Sequence, residues 1–115
     1  MKFYLFFIRS NRQLKKWAVD NGIRGNGTFE DPYIIDSSVE IPTVFSLLRT
    51  SLHLSITQNK IREFRARNCQ NIRIKGCTFK KLSLLKSSRI EIVNSEIEVL
   101  NIINTRNVLL TNTKI

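Results

Sequence analysis

Ten lysines and arginines fall between residues 60 and 89 of this 115-residue chain, against one acid, Glu63. Much of the net charge of +10 therefore sits in one stretch. Cations repeated along extended segments can hold phosphates or acidic polymers by attraction to backbone charge. The candidate polyanion surface is Arg62, Arg65, Arg67, Arg73, Lys75, Lys80 and Lys81, with Arg65, Arg67, Arg73 and Lys75 as its densest part. Such a surface attaches without reading a base sequence. Trp17, Phe29 and Tyr33 are not interleaved with these cations, so no platform for stacking single-stranded bases is expected. A solvated charged face is the plainer reading of the same residues.

Other chemistry has less to work with. A glycosidase needs two carboxylates at a controlled separation, and in the regular part of the chain only Glu91, Glu96 and Glu98 are available. His53 is the lone histidine, and no partner stands at metal-ligand spacing. Cys69 and Cys77 are the only cysteines and read as small residues at corners, without a disulfide framework. We therefore expect no catalytic residues, no metal and no cofactor.

The elements that must position these side chains repeat every 18 residues. LSITQNKI from Leu54, IRIKGCTF from Ile72, IEIVNSEI from Ile90 and VLLTNTKI from Val108 align column by column. Leu54, Ile72, Ile90 and Val108 share one apolar column; Ile56, Ile74, Ile92 and Leu110 share a second; Ile61, Phe79, Ile97 and Ile115 share a third. Phe64, Leu82 and Leu100 follow, then Ala66, Leu84 and Ile102. With 42% hydrophobic residues the chain can fold, and this period predicts an all-β solenoid whose coils stack strand on strand. Gln58, Gly76, Asn94 and Asn112 form a polar corner column suited to left-handed backbone and stacked amides.

Upstream, residues 2–8 read as a short strand. Ser10 and Gln13 have capping-box spacing, Leu14, Trp17 and Ala18 form an apolar stripe, and Gly22 can stop a helix. A capping helix over 11–21 is predicted. Next comes Gly25-Asn26-Gly27-Thr28-Phe29-Glu30-Asp31-Pro32-Tyr33-Ile34-Ile35. Its glycines permit positive φ, and Asp31-Pro32 launches an extended segment.

This stretch resembles the motif that leads into the first coil of right-handed parallel β-helix proteins. These are the pectate-lyase-like superfamily, and within it the NosD-like and carbohydrate-binding repeat group. The resemblance implies a right-handed parallel β-helix and, as an activity, carbohydrate binding or hydrolysis. The copper handling that the NosD-like group would imply calls for clustered Met, His or Cys, which this sequence lacks. A left-handed β-helix also uses 18 residues per coil, but its six-residue comb from Leu54 meets Lys60, Thr78, Glu96 and Lys114. Leucine-rich repeats share the IxIxNxxI pattern but need longer repeats.

The expected organisation is one domain over 1–115: a strand and cap helix in 1–22, an opening turn and irregular first coils in 23–53, and regular coils in 54–115. Projecting the columns back by 18 puts Asp36 and Ser38 where Leu54 and Ile56 stand, so 36–53 calls for a longer irregular coil or a helical turn after Pro42. The apolar run of MKFYLFFI is followed by Arg9, Arg12, Lys15 and Lys16 and does not read as a leader. No segment has the roughly 20 apolar residues of a membrane span. A cytoplasmic protein is expected.

Val108 to Ile115 keep full register with the solenoid, which leaves an open strand edge and the end of an apolar stack. Leu85, Val93, Ile103, Leu109 and Ile115 are the candidate contact residues. The expected role is a non-catalytic structural or protein-interaction module that forms a homodimer or higher homo-oligomer. The alternatives are a binder of nucleic acid or acidic polysaccharide, or a minimal carbohydrate-active β-helix.

Overall fold

The computed structural model describes residues 5–115. It is an all-β, right-handed parallel β-solenoid with a short N-terminal strand and one capping helix. The elements are β1 (Leu5–Ile8), α1 (Asn11–Asp20), β2 (Tyr33–Ile35), β3 (Val44–Leu48), β4 (Leu54–Thr57), β5 (Lys60–Arg67), β6 (Gln70–Lys75), β7 (Thr78–Leu85), β8 (Ser88–Val93), β9 (Glu96–Ile103) and β10 (Arg106–Thr111). Odd-numbered strands form one parallel sheet, in order β1-β3-β5-β7-β9. Even-numbered strands form the other, β10-β8-β6-β4-β2. The expected strand over 2–8 is described from Leu5 onward; its first part lies outside the described residues.

The 18-residue period appears directly as register. Leu54 pairs with Ile72, Ile72 with Ile90, and Ile90 with Val108. Phe64 pairs with Leu82 and Leu82 with Leu100. Each inward column is an apolar stack, because strand alternation sends every second side chain inward. Four aromatic side chains run along the axis from the cap: Trp17 to Phe45 at 5.4 Å between centroids, Phe45 to Phe64 at 5.6 Å, and Phe64 to Phe79 at 6.3 Å.

The corners explain how so short a coil closes. Among the described residues ten other than glycine have positive φ, and six of them are asparagine. With Gly76 they fall in three columns: Gln58, Gly76, Asn94 and Asn112; Arg49, Asn68, Lys86 and Asn104; and Asn71, Arg89 and Asn107. In the first two columns the left-handed residue reverses the chain while its own N–H stays in the ladder. Gly76 donates to the Val93 carbonyl, Asn94 to Thr111, Asn68 to Leu85 and Lys86 to Ile103, each at 3.0 Å. Asparagine tolerates this conformation better than most residues.

Two further columns of the 18-residue period point inward at the corners. Ser87 and Ser95 are 4% exposed, and Cys69 and Cys77 are buried. Cys69 N–H donates to Ser87 Oγ and Cys77 N–H to Ser95 Oγ, both at 3.1 Å. Ser87 and Ser95 then donate to the carbonyls of Leu85 and Val93 at 3.0 Å. Thr105 and Thr113 continue the two columns in the last coil. These hydroxyls satisfy corner amides that the sheets do not reach. Cys69 and Cys77 are free thiols within the same columns.

The first coil is longer, as the broken register required, but without a helical turn after Pro42. Tyr33 pairs with Leu54 and Ile35 with Ile56, so the partners of Leu54 and Ile56 are these residues and not Asp36 and Ser38. Two of the additional residues lie between β2 and β3, where Asp36 turns the chain. Its carboxylate accepts from the Ser38 N–H at 3.0 Å and from the Ser38 hydroxyl. Those bonds, with Arg24 nearby, hold the Asp36 carboxyl below its ordinary value.

The opening turn is built around close backbone approach. The N–H groups of Asn26, Gly27 and Thr28 all donate to the Asp31 carbonyl, at 2.9, 3.0 and 3.3 Å. At Gly25, φ is 101° and a Cβ would stand 2.0 Å from the Pro32 carbonyl oxygen, so only glycine fits. His53 N–H donates to Gly27 and its carbonyl accepts from Tyr33, which fastens the turn to the second coil. Over the first coil, Ser10 caps α1 by accepting from the Gln13 N–H, and Leu14, Trp17 and Ala18 are buried.

Candidate functional site

In β9 and β10, the last strands of the described residues, core positions are exposed. Ala66 and Leu84 are each 1% exposed, but Ile102, next in their column, is 40% exposed. Ile92 is fully buried, whereas Leu110 above it is 39% exposed. Val99, Ile103, Leu109 and Ile115 are also exposed. Ile115, expected in the inward column of Phe79 and Ile97, is 64% exposed. Along this end β9 and β10 are the outermost strands of their sheets. Beyond β9, the Thr105 and Thr113 hydroxyls, β10, the Asn112 amide and Lys114 reach back onto the preceding coil.

The predicted contact residues divide between the two sheets. Leu85 and Ile103 are paired neighbours on β7 and β9. Val93 ends β8, and Leu109 lies on β10 opposite Glu91. Leu85 and Val93 are half-buried one coil inward, while Ile103, Leu109 and Ile115 border the open end.

The opposite end is closed. Trp17 packs on Phe45, and the Ile34 N–H at the β2 edge is taken by the Arg24 carbonyl at 2.9 Å. The two ends of the solenoid thus differ in kind: one carries a helix and an antiparallel bridge, the other presents side chains that belong to a core.

The predicted polyanion residues divide between the two sheets. Arg62, Arg65, Arg67, Lys80 and Lys81 lie on β5 and β7, whereas Arg73 and Lys75 lie on β6 in the other sheet. Several of these cations stack on uncharged residues in the neighbouring coils. Arg65 sits between Ser46 and Ser83, Arg67 between Leu48 and Leu85, and Lys75 between Thr57 and Val93. Arg65 pairs with Glu63, and Arg73 pairs with Glu91 at 2.9 Å.

A groove of 530 Å³ runs along the outside of β5, β7 and β9, where Lys60, Arg62, Lys80 and Lys114 surround Glu96 and Glu98. Both glutamates flank the buried Ile97 and are exposed. Among the described residues no three His, Cys, Asp or Glu side chains are grouped to hold a metal.

The structure corrects the expectation about aromatic residues. Phe29, which is 79% exposed, meets the ring of His53 edge-on at 5.7 Å. Both line a groove of 590 Å³ that also includes Asn71, Arg89 and the Arg73–Glu91 ion pair. An aromatic pair therefore does adjoin cations. It was hidden because the opening turn folds over the second coil, a contact that no column of the repeat encodes.

The chain matches no protein-family model, no curated protein and no solved structure. Its architecture is consistent with the pectate-lyase-like superfamily in general. No helix of the described residues is long and apolar enough to cross a membrane.

Proposed function

We propose that this chain is a non-catalytic interaction module that self-associates through the end presented by β9 and β10, as a two-fold homodimer. The observation that carries this reading is the exposure of Ile102 and Leu110 in columns that are otherwise buried. Covering them contributes on the order of 1–2 kcal/mol each from apolar area alone. An open strand edge adds unpaired N–H and C=O groups that another strand satisfies best.

For this 115-residue chain we take the occupant to be a second copy, since every copy carries the same edge, and the asymmetry of the two ends selects the mode. Head-to-tail stacking would require a bare edge at the other end, which α1 and the Arg24 bridge obstruct. A two-fold axis instead sets like ends together, with strands antiparallel across it. On β9 the acids Glu96 and Glu98 lie in one half and Asn101, Ile102 and Ile103 in the other, so antiparallel self-pairing brings the acids opposite uncharged residues. The finer kinship, with the NosD-like and carbohydrate-binding repeat group, rests on the opening motif and is part of this proposal.

Amide hydrogen exchange over a dilution series tests the placement of the interface. Protection of β9 and β10 amides that rises with concentration supports it. Exchange in these strands that is identical at every concentration contradicts it.

A further inference from the structure

One corner of the solenoid gathers cations without acids. Lys86, Arg89 and Arg106 line a groove of 460 Å³ together with serine, asparagine and glutamine side chains and no carboxylate. Among the described residues none of the three cations takes part in an ion pair. Lys86 and Arg89 both have left-handed backbone, with φ of 49° and 56°. The coils on either side fill the same slots with Asn68 and Asn104, and with Asn71 and Asn107. Left-handed backbone favours asparagine over a long side chain. This coil therefore gives up the better corner residue twice and gains a positive charge each time.

Arg89 also borders the second groove, the one that holds Phe29 and His53. The register of Leu54 on Ile72 and Ile72 on Ile90 puts His53, Asn71 and Arg89 at the same corner of successive coils. The aromatic pair and Arg89 are thus separated by two coil spacings, about 10 Å. Along that strip come an exposed ring, a carboxamide, and then a cluster of unpaired cations.

From this juxtaposition we propose that the strip from Phe29 through Asn71 to the Lys86–Arg89–Arg106 corner binds single-stranded nucleic acid. An unpaired base stacks on Phe29, whose ring is open on the solvent side. Asn71 donates one amide hydrogen to the Ser51 carbonyl at 2.8 Å, which leaves its second amide hydrogen and its carbonyl oxygen for a base edge. The phosphates that follow lie on Lys86, Arg89 and Arg106. A duplex keeps its bases inside and offers nothing to Phe29. Arg106 begins β10 and so borders the open end, whereas Phe29, Asn71, Lys86 and Arg89 lie on earlier coils and act without self-association.

Fluorescence anisotropy of a labelled oligothymidylate, titrated over a range of salt, tests the proposal. Lys86→Asn with Arg89→Asn introduces the residues that the neighbouring coils already use, so the fold is kept and a thermal melt verifies it. That variant should bind at least about ten-fold more weakly and lose about 1.4 from the slope of log affinity against log salt. Phe29→Ala should weaken binding about ten-fold with the slope unchanged. Arg62→Ser with Lys80→Ser removes the same charge from a different corner and should change affinity much less. The proposal is overturned if the wild-type chain does not bind, if the two double variants lose affinity equally, if Phe29→Ala has no effect, or if a hairpin duplex binds as well as the single strand.

Discussion

Asn112 donates its side-chain amide to the side-chain carbonyl of Asn94, one coil below, at 2.7 Å. Both residues are left-handed, with φ of 47° and 50°, and both are exposed. The amide ladder therefore runs along the outside of the corner. What it secures is a backbone reversal whose N–H remains in the sheet.

Asn94→Leu should destabilise the fold by about 1–2 kcal/mol, combining left-handed strain with the loss of one hydrogen bond. Asn94→Gly keeps the backbone freedom and should cost less. Urea denaturation of the two variants separates these contributions.

Ser95→Ala leaves the Cys77 amide without its acceptor inside the corner. A buried unsatisfied N–H costs about 1–3 kcal/mol. Ser87→Ala should do the same to the Cys69 amide. Ser83→Ala, on a sheet position outside these columns, should be nearly neutral in the same denaturation experiment.

Gly25→Ala should disrupt the opening turn, since the new methyl would stand 2.0 Å from the Pro32 carbonyl oxygen. The first coil would have to open locally, and β2 would lose its fastening to His53. Increased amide exchange at Tyr33, Ile34 and Ile35, with the β5–β8 coils still protected, is the expected pattern.

Burial pushes the Cys77 thiol above its usual value. The folded chain then holds this proton at a pH where the unfolded chain has released it. Stability should be unaffected below the ordinary thiol value of about 8.5 and should fall as pH rises through it toward the raised one. Cys77→Ser, the residue type that Ser95 supplies one coil on, should flatten that decline over the interval above about pH 8.5. Melting curves of both proteins across that interval provide the check.

The coil architecture was legible in the sequence because identical columns recur: Leu54, Ile72 and Ile90 are buried as their spacing required. The cap helix was legible from Ser10, Gln13 and the Leu14–Trp17–Ala18 stripe. The first coil was harder to read. A fixed period cannot show where extra residues enter, and so Asp36 stood in for Tyr33. The inward Ser and Thr columns were present at 18-residue spacing, at Cys69, Ser87 and Thr105, but their small polar side chains carry no hydropathy signal. The sheet assignment of the cations needed the corners, because Arg67 and Arg73 lie close in sequence and on different sheets. The meeting of Phe29 with His53 is a tertiary contact between the opening turn and a coil, and no local pattern predicts it.

Self-association through the open end is tested most directly by sedimentation equilibrium of the 115-residue chain at micromolar concentration, beside an Ile102→Lys/Leu110→Lys variant. The wild-type chain should show twice its 13.4 kDa mass and dissociate on dilution, and the variant should remain at 13.4 kDa. A wild-type mass of 13.4 kDa throughout the concentration range, equal to that of the variant, would contradict the account.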